Sequence, residues 1–233
     1  MDFAFFILLY SLMHVYIQPI AKQFLQNAHA ENAAGAKAYM RNQFEYFGIK
    51  AATRQSISKD YMKAELPAFT ELEIIVKELW QLPEREYQYF AIDLIAVMKK
   101  HWTTDTVVLI EFVLINKSWW DTVDHAASDL TGPYFKLFPQ QINKITGNWN
   151  RSANFWLQRS SIMFQKKYKK ETDTVLLHKY ILRHTHSKEF FIQKAIGWAL
   201  REYSKTDPIW VKKFVKQNKL APLSKREALK RIG

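Results

Sequence analysis

A small residue recurs at a nearly constant interval through most of this chain. Successive copies are 35, 34, 35 and 33 residues apart, at Ala91, Ala126, Ser160, Ala195 and Ala228. A steady period in this range is typical of stacked helix pairs, because a single pair cannot bury its apolar face and needs neighbouring pairs to cover it. The recurrence therefore predicts an all-α solenoid, in which the small residue lies where two helices approach closely.

Apolar periodicity supports a helical chain. Residues 69–80 and 87–98 each carry an apolar stripe with the spacing of one helix face. Pro83 separates the two stripes, as expected for a proline at a helix start. Residues 1–65 are less regular, and we expect them to form helices that cap the start of the solenoid, with a turn near Gly48.

The excess of basic charge is confined to the last third of the chain. Residues 151–233 hold 20 basic and 6 acidic residues, a net charge of +14, whereas residues 1–150 hold 14 basic and 16 acidic residues, a net charge of −2. A one-sided basic surface is typical of proteins that bind a polyanion. Nucleic acid is the first interpretation, and an anionic membrane or a solvated basic face are the alternatives.

The chain begins with an apolar segment. Residues 3–17 are apolar apart from Ser11 and His14, which is short for a transmembrane helix, and the positively charged start of a signal peptide is missing. We interpret residues 1–12 as an extension ahead of a single domain at residues 13–233, with a membrane anchor as the alternative. The lack of cysteine excludes disulfides and thiol catalysis and fits a reducing cytoplasm.

Equivalent positions in successive repeats line one surface. The residues just before the small positions form a predicted row. It includes a histidine and two side chains that are positively charged at neutral pH: Phe90, His125, Arg159 and Lys194. In curved solenoids the concave row is commonly used for binding. We therefore expect a basic binding surface along this row.

Residues 117–124 (KSWWDTVD) carry an unusual combination of side chains. Ser118 is predicted to cap a helix with Asp121 as its reciprocal partner, which gives Asp121 a structural explanation. Trp120 and Asp124 lie four residues apart and share a helix face. They form a candidate catalytic pair, with core packing of the indole and helix-dipole stabilisation of the carboxylate as the alternatives.

Two further residues join this pair if the repeats stack in register. Arg159 occupies the predicted row, and Trp198 lies four residues after Lys194 on the same helix face. The pair and these two residues would then converge on one concavity. There the aromatic rings can pack on a sugar or attract a cation, and the arginine can bind a phosphate. The alternative is two core tryptophans and an ion pair.

Motifs for metal or phosphate-loop chemistry are missing from the sequence. It contains no phosphate-binding loop, no nucleophile elbow and no HExxH segment. His184 and His186 are two positions apart and therefore do not face each other on a helix. We expect neither a metal ion nor a redox cofactor.

Several blocks of the sequence resemble the AlkD-type DNA alkylation-repair glycosylases. The blocks are residues 117–124 (KSWWDTVD), 156–165 (WLQRSSIMFQ), 189–203 (EFFIQKAIGWALREY), 82–86 (LPERE) and 220–228 (LAPLSKREA). The similarity runs from near Met13 to the C-terminus. It implies a right-handed α-solenoid of HEAT-like repeats with a concave basic groove for duplex DNA.

The resemblance also implies an activity. The expected reaction is hydrolysis of the N-glycosidic bond of N3- or N7-alkylated purines, such as 3-methyladenine and 7-methylguanine, in double-stranded DNA, which initiates base excision repair. It implies no metal or redox cofactor and no partner chain, so we expect a cytoplasmic, nucleoid-associated monomer. The lesion is expected to stay largely stacked in an open groove, unlike in enzymes that flip the base into a deep pocket.

The family's functional residues fall on positions that this sequence retains. They are Trp120, Asp124, Arg159 and Trp198. The carboxylate is expected to stabilise an oxocarbenium-like sugar and to orient water, the tryptophans to contact the deoxyribose, and the arginine to hold the phosphate beside the lesion. Further candidates for contacts with backbone phosphates are Tyr39, Lys50, Lys166 and Lys194.

Two other functions compete with the enzyme. The same solenoid could recognise unusual DNA structures without cleavage, or could serve as a protein-interaction scaffold, since a fold alone does not settle function. The presence of Asp124 favours the enzyme over the binding module. The charge of residues 151–233 and the Trp-Asp-Arg-Trp set favour DNA over a protein partner.

Overall fold

The computed structural model describes residues 12–233, and the described chain is helical. Its β-structure is limited to an isolated bridge between Glu45 and Glu84. Of the expected extension at residues 1–12, residues 1–11 lie outside the described part. Backbone contacts divide the chain into two compact units, one ending at Trp102 and the other beginning at Thr103. The single domain expected at residues 13–233 stays a prediction.

The first unit consists of five α-helices in its described part. They are α1 (Ile17–Gln26), α2 (Ala30–Tyr39), α3 (Ala51–Ala64), α4 (Leu72–Gln81) and α5 (Arg85–Val97). Helices α4 and α5 match the two apolar stripes, except that residues 69–71 form a short 3-10 turn before α4. Helix α5 begins two residues after Pro83, with Glu84 as its N-cap.

The turn expected near Gly48 is confirmed, and a buried carboxylate holds it. Gly48 has a φ of +80°, and a Cβ there would lie 2.3 Å from the carbonyl oxygen of His29, so this turn requires glycine. The Glu86 carboxylate accepts the backbone N–H groups of Phe47, Gly48 and Ile49 at 2.9–3.3 Å. Burial raises the pKa of Glu86, and these hydrogen bonds oppose that rise.

The second unit continues with paired helices. They are α6 (Thr106–Ile115), α7 (Trp120–Ala126), α8 (Gly132–Leu137), α9 (Ile142–Arg151), α10 (Phe155–Met163), α11 (Thr174–Arg183), α12 (Phe190–Tyr203), α13 (Pro208–Gln217) and α14 (Pro222–Leu229). A π-helical segment, Ala127–Thr131, joins α7 to α8. Side-chain caps fix several helix starts, including Asn154 for α10 and Glu189 for α12, because each satisfies a backbone N–H of the first turn.

Burial of the small residues agrees with the repeat. All five of them are fully buried in the structure: Ala91, Ala126, Ser160, Ala195 and Ala228. Within the second unit, α7 contacts α10, α10 contacts α12, and α12 contacts α14. The prediction of an all-α chain of stacked helix pairs is therefore confirmed.

Two local predictions are wrong. Ser118 does not cap α7: Trp119 occupies the N-cap position, and the Ser118 hydroxyl donates to the carbonyl oxygen of Leu114 at 2.7 Å. Phe90 and His125 do not share the position of Arg159, because α5 and α7 each begin one residue earlier relative to their small residues than α10 does. Counted from the first helical residue, the fifth position holds Asp124, Arg159 and Lys194.

None of the helices in residues 12–233 is both long enough and apolar enough to cross a bilayer.

Candidate active site

Asp124 and Arg159 form the centre of the candidate site. They project from the same position of α7 and α10, and Arg159 donates from Nε to Oδ1 at 2.7 Å and from Nη2 to Oδ2 at 2.8 Å. Two parallel hydrogen bonds between guanidinium and carboxylate fix the carboxylate plane as well as its position. The Asp124 side chain keeps 16% of its surface exposed, while that of Arg159 keeps 1%.

A third hydrogen bond anchors the guanidinium from the other side. Nη1 of Arg159 donates to the backbone carbonyl oxygen of Phe191, in the first turn of α12, at 2.5 Å. Three of the five N–H donors that a guanidinium carries are thus directed at protein acceptors. The structure therefore places Arg159 as a buried support for Asp124, and its contact with a DNA phosphate stays a prediction.

Trp198 lies next to this ion pair and is surrounded by cations. The guanidinium of Arg159 lies 5.3 Å from the centre of the indole ring. The other three cations, at 5.3–5.8 Å, are Lys194, Arg201 and Lys166. A cation within about 6 Å of an aromatic face is attracted by the electrons of the ring. The structure thus brings Asp124, Arg159 and Trp198 together with two of the predicted lysines.

A second carboxylate, to which the sequence analysis gave no role, is hydrogen-bonded to Trp198. Glu227 of α14 accepts from Lys194 Nζ at 2.8 Å, from Arg201 Nη1 at 2.9 Å and from the indole Nε1 of Trp198 at 3.2 Å. The hydrogen bond and positive charge of Lys194, with the charge of Arg201, lower the pKa of Glu227 against the effect of burial. A signal for it existed, since Glu227 directly precedes the small residue Ala228.

Trp120 is the first residue of α7, one turn before Asp124 on the same helix. Its indole is partly exposed. The preceding residue, Trp119, packs against Trp156 and Phe191, with ring centres 6.1 and 5.2 Å from its own. This aromatic cluster joins the starts of α7, α10 and α12, and it therefore holds the carbonyl group of Phe191 where it anchors Arg159.

The remaining predicted contacts lie in two places. Lys166 follows α10 and faces the ring of Trp198. Tyr39 and Lys50 belong to the first unit, where both are exposed and line a cavity of about 310 Å³ together with Arg54. Arg54 itself is paired with Asp93 at 3.2 Å. Tyr39 and Lys50 therefore lie outside the second unit, which carries the candidate site.

Lysines also line a surface depression of the second unit that has a volume of about 550 Å³. Its lysines are Lys136, Lys167, Lys169, Lys170 and Lys205. Some of them form ion pairs, as Lys136 does with Glu171 and Lys167 with Asp129. In residues 12–233 we find no group of three or more His, Asp or Glu side chains arranged to hold a metal ion.

Comparison with known proteins assigns the chain to a family. The model of the DNA alkylation repair enzyme family matches residues 20–232. A solved structure described as a predicted DNA alkylation repair enzyme from Enterococcus faecalis is 37% identical, with a TM-score of 0.82 over 89% of this chain and 97% of that one. A search of curated proteins gave no match. Both the family model and the solved structure cover nearly the whole chain, and the chain therefore belongs to the family of DNA alkylation repair enzymes.

Proposed function

We propose that this protein is a DNA glycosylase that hydrolyses the N-glycosidic bond of N3- or N7-alkylated purines in double-stranded DNA. The observation that carries the proposal is the Asp124 carboxylate, held at both oxygens by Arg159 and partly exposed. Trp198 and its cations lie directly beside this pair. A fixed anion whose arginine partner lies beside an aromatic ring and further cations suits a reaction in which a sugar becomes cationic within a polyanion.

The substrate chemistry explains why so few groups are needed. Alkylation at N3 or N7 gives the purine a positive charge, so the bond from C1′ can break with its electron pair going to the base, which leaves neutral. The sugar then carries an oxocarbenium-like charge until a water molecule adds to C1′ and loses a proton. A carboxylate near C1′ stabilises that charge and can accept the proton.

Asp124 retains acceptor capacity for this role. An ionised carboxylate has about four lone-pair directions, and the contacts with Arg159 use one on each oxygen. The other directions are available to a water molecule or to the sugar. Because Arg159 fixes the plane of the carboxylate, little reorganisation accompanies the reaction, which is the basis of electrostatic catalysis by a preorganised site.

The aromatic and basic residues supply binding. In this proposal the rings of Trp120 and Trp198 pack on the deoxyribose and help to stabilise its charge. Lys166 and Lys194, beside Trp198, contact the phosphates next to the lesion, and Tyr39 and Lys50 of the first unit contact phosphates elsewhere on the duplex. The reaction needs a single chain and, in this scheme, no cofactor.

One observation favours a second candidate, a DNA-binding module without excision activity. The charge of Asp124 is already compensated by Arg159, as in an ion pair with a purely structural role. Such a module would need the cations around Trp198 but not the carboxylate.

The deciding experiment measures release of 3-methyladenine and 7-methylguanine from methylated duplex DNA by the wild-type protein and by Asp124→Asn. We expect release by the wild type and a loss of roughly a hundredfold or more in the variant, because the stabilising charge is gone. Asp129→Asn is the matched control: it makes the same substitution at a residue that pairs with Lys167 and His125 instead of Arg159, and it should keep full activity.

The same experiment separates the two candidates. A folded wild-type protein that binds DNA and releases neither base contradicts the glycosylase and supports the binding module. Equal release by wild type and Asp124→Asn contradicts the role given to the carboxylate.

A further inference from the structure

Glu227 links the last helix of the chain to the candidate site. Its Oε1 accepts from Lys194, and its Oε2 accepts both the indole N–H of Trp198 and a guanidinium N–H of Arg201. The side chain is 10% exposed. Its three donors come from α12, so one buried carboxylate of α14 determines where three side chains of the neighbouring helix lie.

The position of Glu227 is itself fixed by close helix packing. Gly197 of α12 faces α14, and a Cβ at this glycine would lie 2.5 Å from the Cβ of Glu227 and 3.0 Å from the carbonyl oxygen of Ser224. The Ser224 hydroxyl donates to the carbonyl oxygen of Gln193 at 2.8 Å. The register of the two helices is therefore fixed at Ser224 and at the glutamate itself.

Stability alone does not explain a carboxylate here. Taking charges out of water costs free energy, and an apolar residue of similar size at a buried ion-pair site is often neutral or stabilising. What a carboxylate adds is a set of directional hydrogen bonds. It holds the edge of the indole by a charge-assisted hydrogen bond, and it keeps Lys194 and Arg201, which repel each other, within 5.3 and 5.7 Å of the same ring.

We propose that Glu227 is a positioning residue for Trp198: it fixes the plane of the indole through Nε1 and holds two cations against the ring. It presents the ring to the sugar and the cations to the adjacent phosphates, and it does not itself touch the substrate. This inference rests on the role given to Trp198 in the proposed function. It extends the site to α14, at the residue that directly precedes the small residue Ala228.

The first test reads the indole directly and needs no substrate. The chain has eight tryptophans, so a nitrogen–proton correlation spectrum of labelled protein contains eight indole signals, and Trp198→Phe identifies the one from Trp198 by removing it. We expect this signal to move upfield in Glu227→Ala and by a smaller amount in Glu227→Gln, which keeps a neutral acceptor. A Trp198 signal that stays in place in both variants overturns the proposal.

The second test measures single-turnover excision and DNA affinity. Glu227→Ala should lower the excision rate roughly tenfold or more, since small misplacements of catalytic groups are costly, while DNA affinity stays equal or rises because two cations lose their partner. Glu227→Gln should recover part of the rate, and it replaces Glu227→Ala if that variant does not fold. Glu171→Gln removes the carboxylate from an ion pair with Lys136 that does not involve Trp198. Its excision rate and DNA affinity should match those of the wild type.

A double variant tests whether Glu227 acts through Trp198. In a Trp198→Phe background, which lacks the indole N–H, Glu227→Ala should cause little further loss of rate. A full further loss in that background overturns the positioning role. Absence of excision in the wild type counts against the proposed function, whereas an unmoved Trp198 signal counts against the role of Glu227, so the two failures are distinguishable.

Discussion

Arg159 holds both carboxylate oxygens of Asp124, although the two residues lie 35 positions apart in the chain. The separation equals the distance in sequence between the first residues of α7 and α10, so both residues occupy the fifth position of their helices. Lys194 and Glu227, 33 positions apart, also pair across successive repeats with the order of charges reversed, although Lys194 is the fifth residue of α12 and Glu227 the sixth residue of α14. Ion pairs therefore link consecutive repeats of the second unit, and both pairs lie beside the ring of Trp198.

The geometry of the first pair predicts that lysine cannot replace arginine. Arg159→Lys keeps the charge but loses the parallel hydrogen bonds and the contact with the Phe191 carbonyl. We expect excision to fall roughly tenfold or more and the free energy of unfolding to fall by about 1–3 kcal/mol. Urea denaturation and single-turnover rates measure the two effects.

Arg151→Lys provides the control for this change. Arg151 is exposed and donates to the Asn148 side chain, so its replacement should change stability by less than about 0.5 kcal/mol and leave excision as in the wild type. Equal effects at the two positions would contradict a special role for the buried guanidinium.

The cations around Trp198 predict how DNA affinity depends on salt. If Lys166 contacts a phosphate as proposed, Lys166→Ala removes that contact and should reduce the magnitude of the slope of log K against log salt by about 0.9. Lys194→Ala should change the slope less, because Lys194 is already paired with Glu227. Binding to an undamaged duplex between about 50 and 200 mM salt gives both slopes.

Lys213→Ala is the control for the salt measurement. Lys213 is exposed on α13, outside the row of helices that carries the site, and its removal should leave the slope unchanged. A slope that Lys166→Ala does not alter would argue against a phosphate contact at this lysine.

Two glycines predict opposite responses to the same substitution. Gly197→Ala places a Cβ 2.5 Å from the Cβ of Glu227 and should lower the free energy of unfolding by about 1–3 kcal/mol. Gly35→Ala lies in α2 with no atom within 4 Å of the new Cβ and should raise it by about 0.5–1 kcal/mol, since alanine is the better helix former. Thermal unfolding of both variants checks the signs, and a neutral Gly197→Ala would contradict the close packing of α12 and α14.

The pKa of Glu227 predicts a pH window for its contribution to stability. The folded-state pKa lies below the ordinary value of 4.5 because Lys194 and Arg201 surround the carboxylate. A lowered pKa means that the stabilisation is fully present above the ordinary value and is lost as pH falls through the folded-state pKa. Glu227→Gln should therefore be less stable than the wild type at about pH 7, and this difference should shrink as the pH falls below 4.5.

Urea denaturation of both proteins over this range provides the measurement. Glu171→Gln, at an exposed ion pair, should differ little from the wild type at any pH. A Glu227→Gln deficit that persists unchanged in acid would mean that the packing of the side chain matters rather than its charge.

Several features of the fold could be predicted because the repeat is present in the sequence itself. The interval between small residues is a one-dimensional property, and each of these residues is buried where helices meet. The stripes of α4 and α5 follow from the helical period. The convergence of Asp124, Arg159 and Trp198 could also be expected, since equal positions of stacked repeats face the same side.

What the sequence by itself determined was thus the all-α class and the repeat, whereas its row of equivalent positions placed His125 where the structure has Asp124. Only the tertiary structure decided which hydrogen-bond partners these side chains have. Ser118 bonds to the preceding helix instead of capping α7, Arg159 is buried between a carboxylate and a backbone carbonyl, and Glu227 reaches Trp198. Periodicity specifies which face a residue lies on, but hydrogen-bond partners depend on the axial offset between neighbouring helices. That offset is set by close contacts such as the one at Gly197, which no spacing in the sequence encodes.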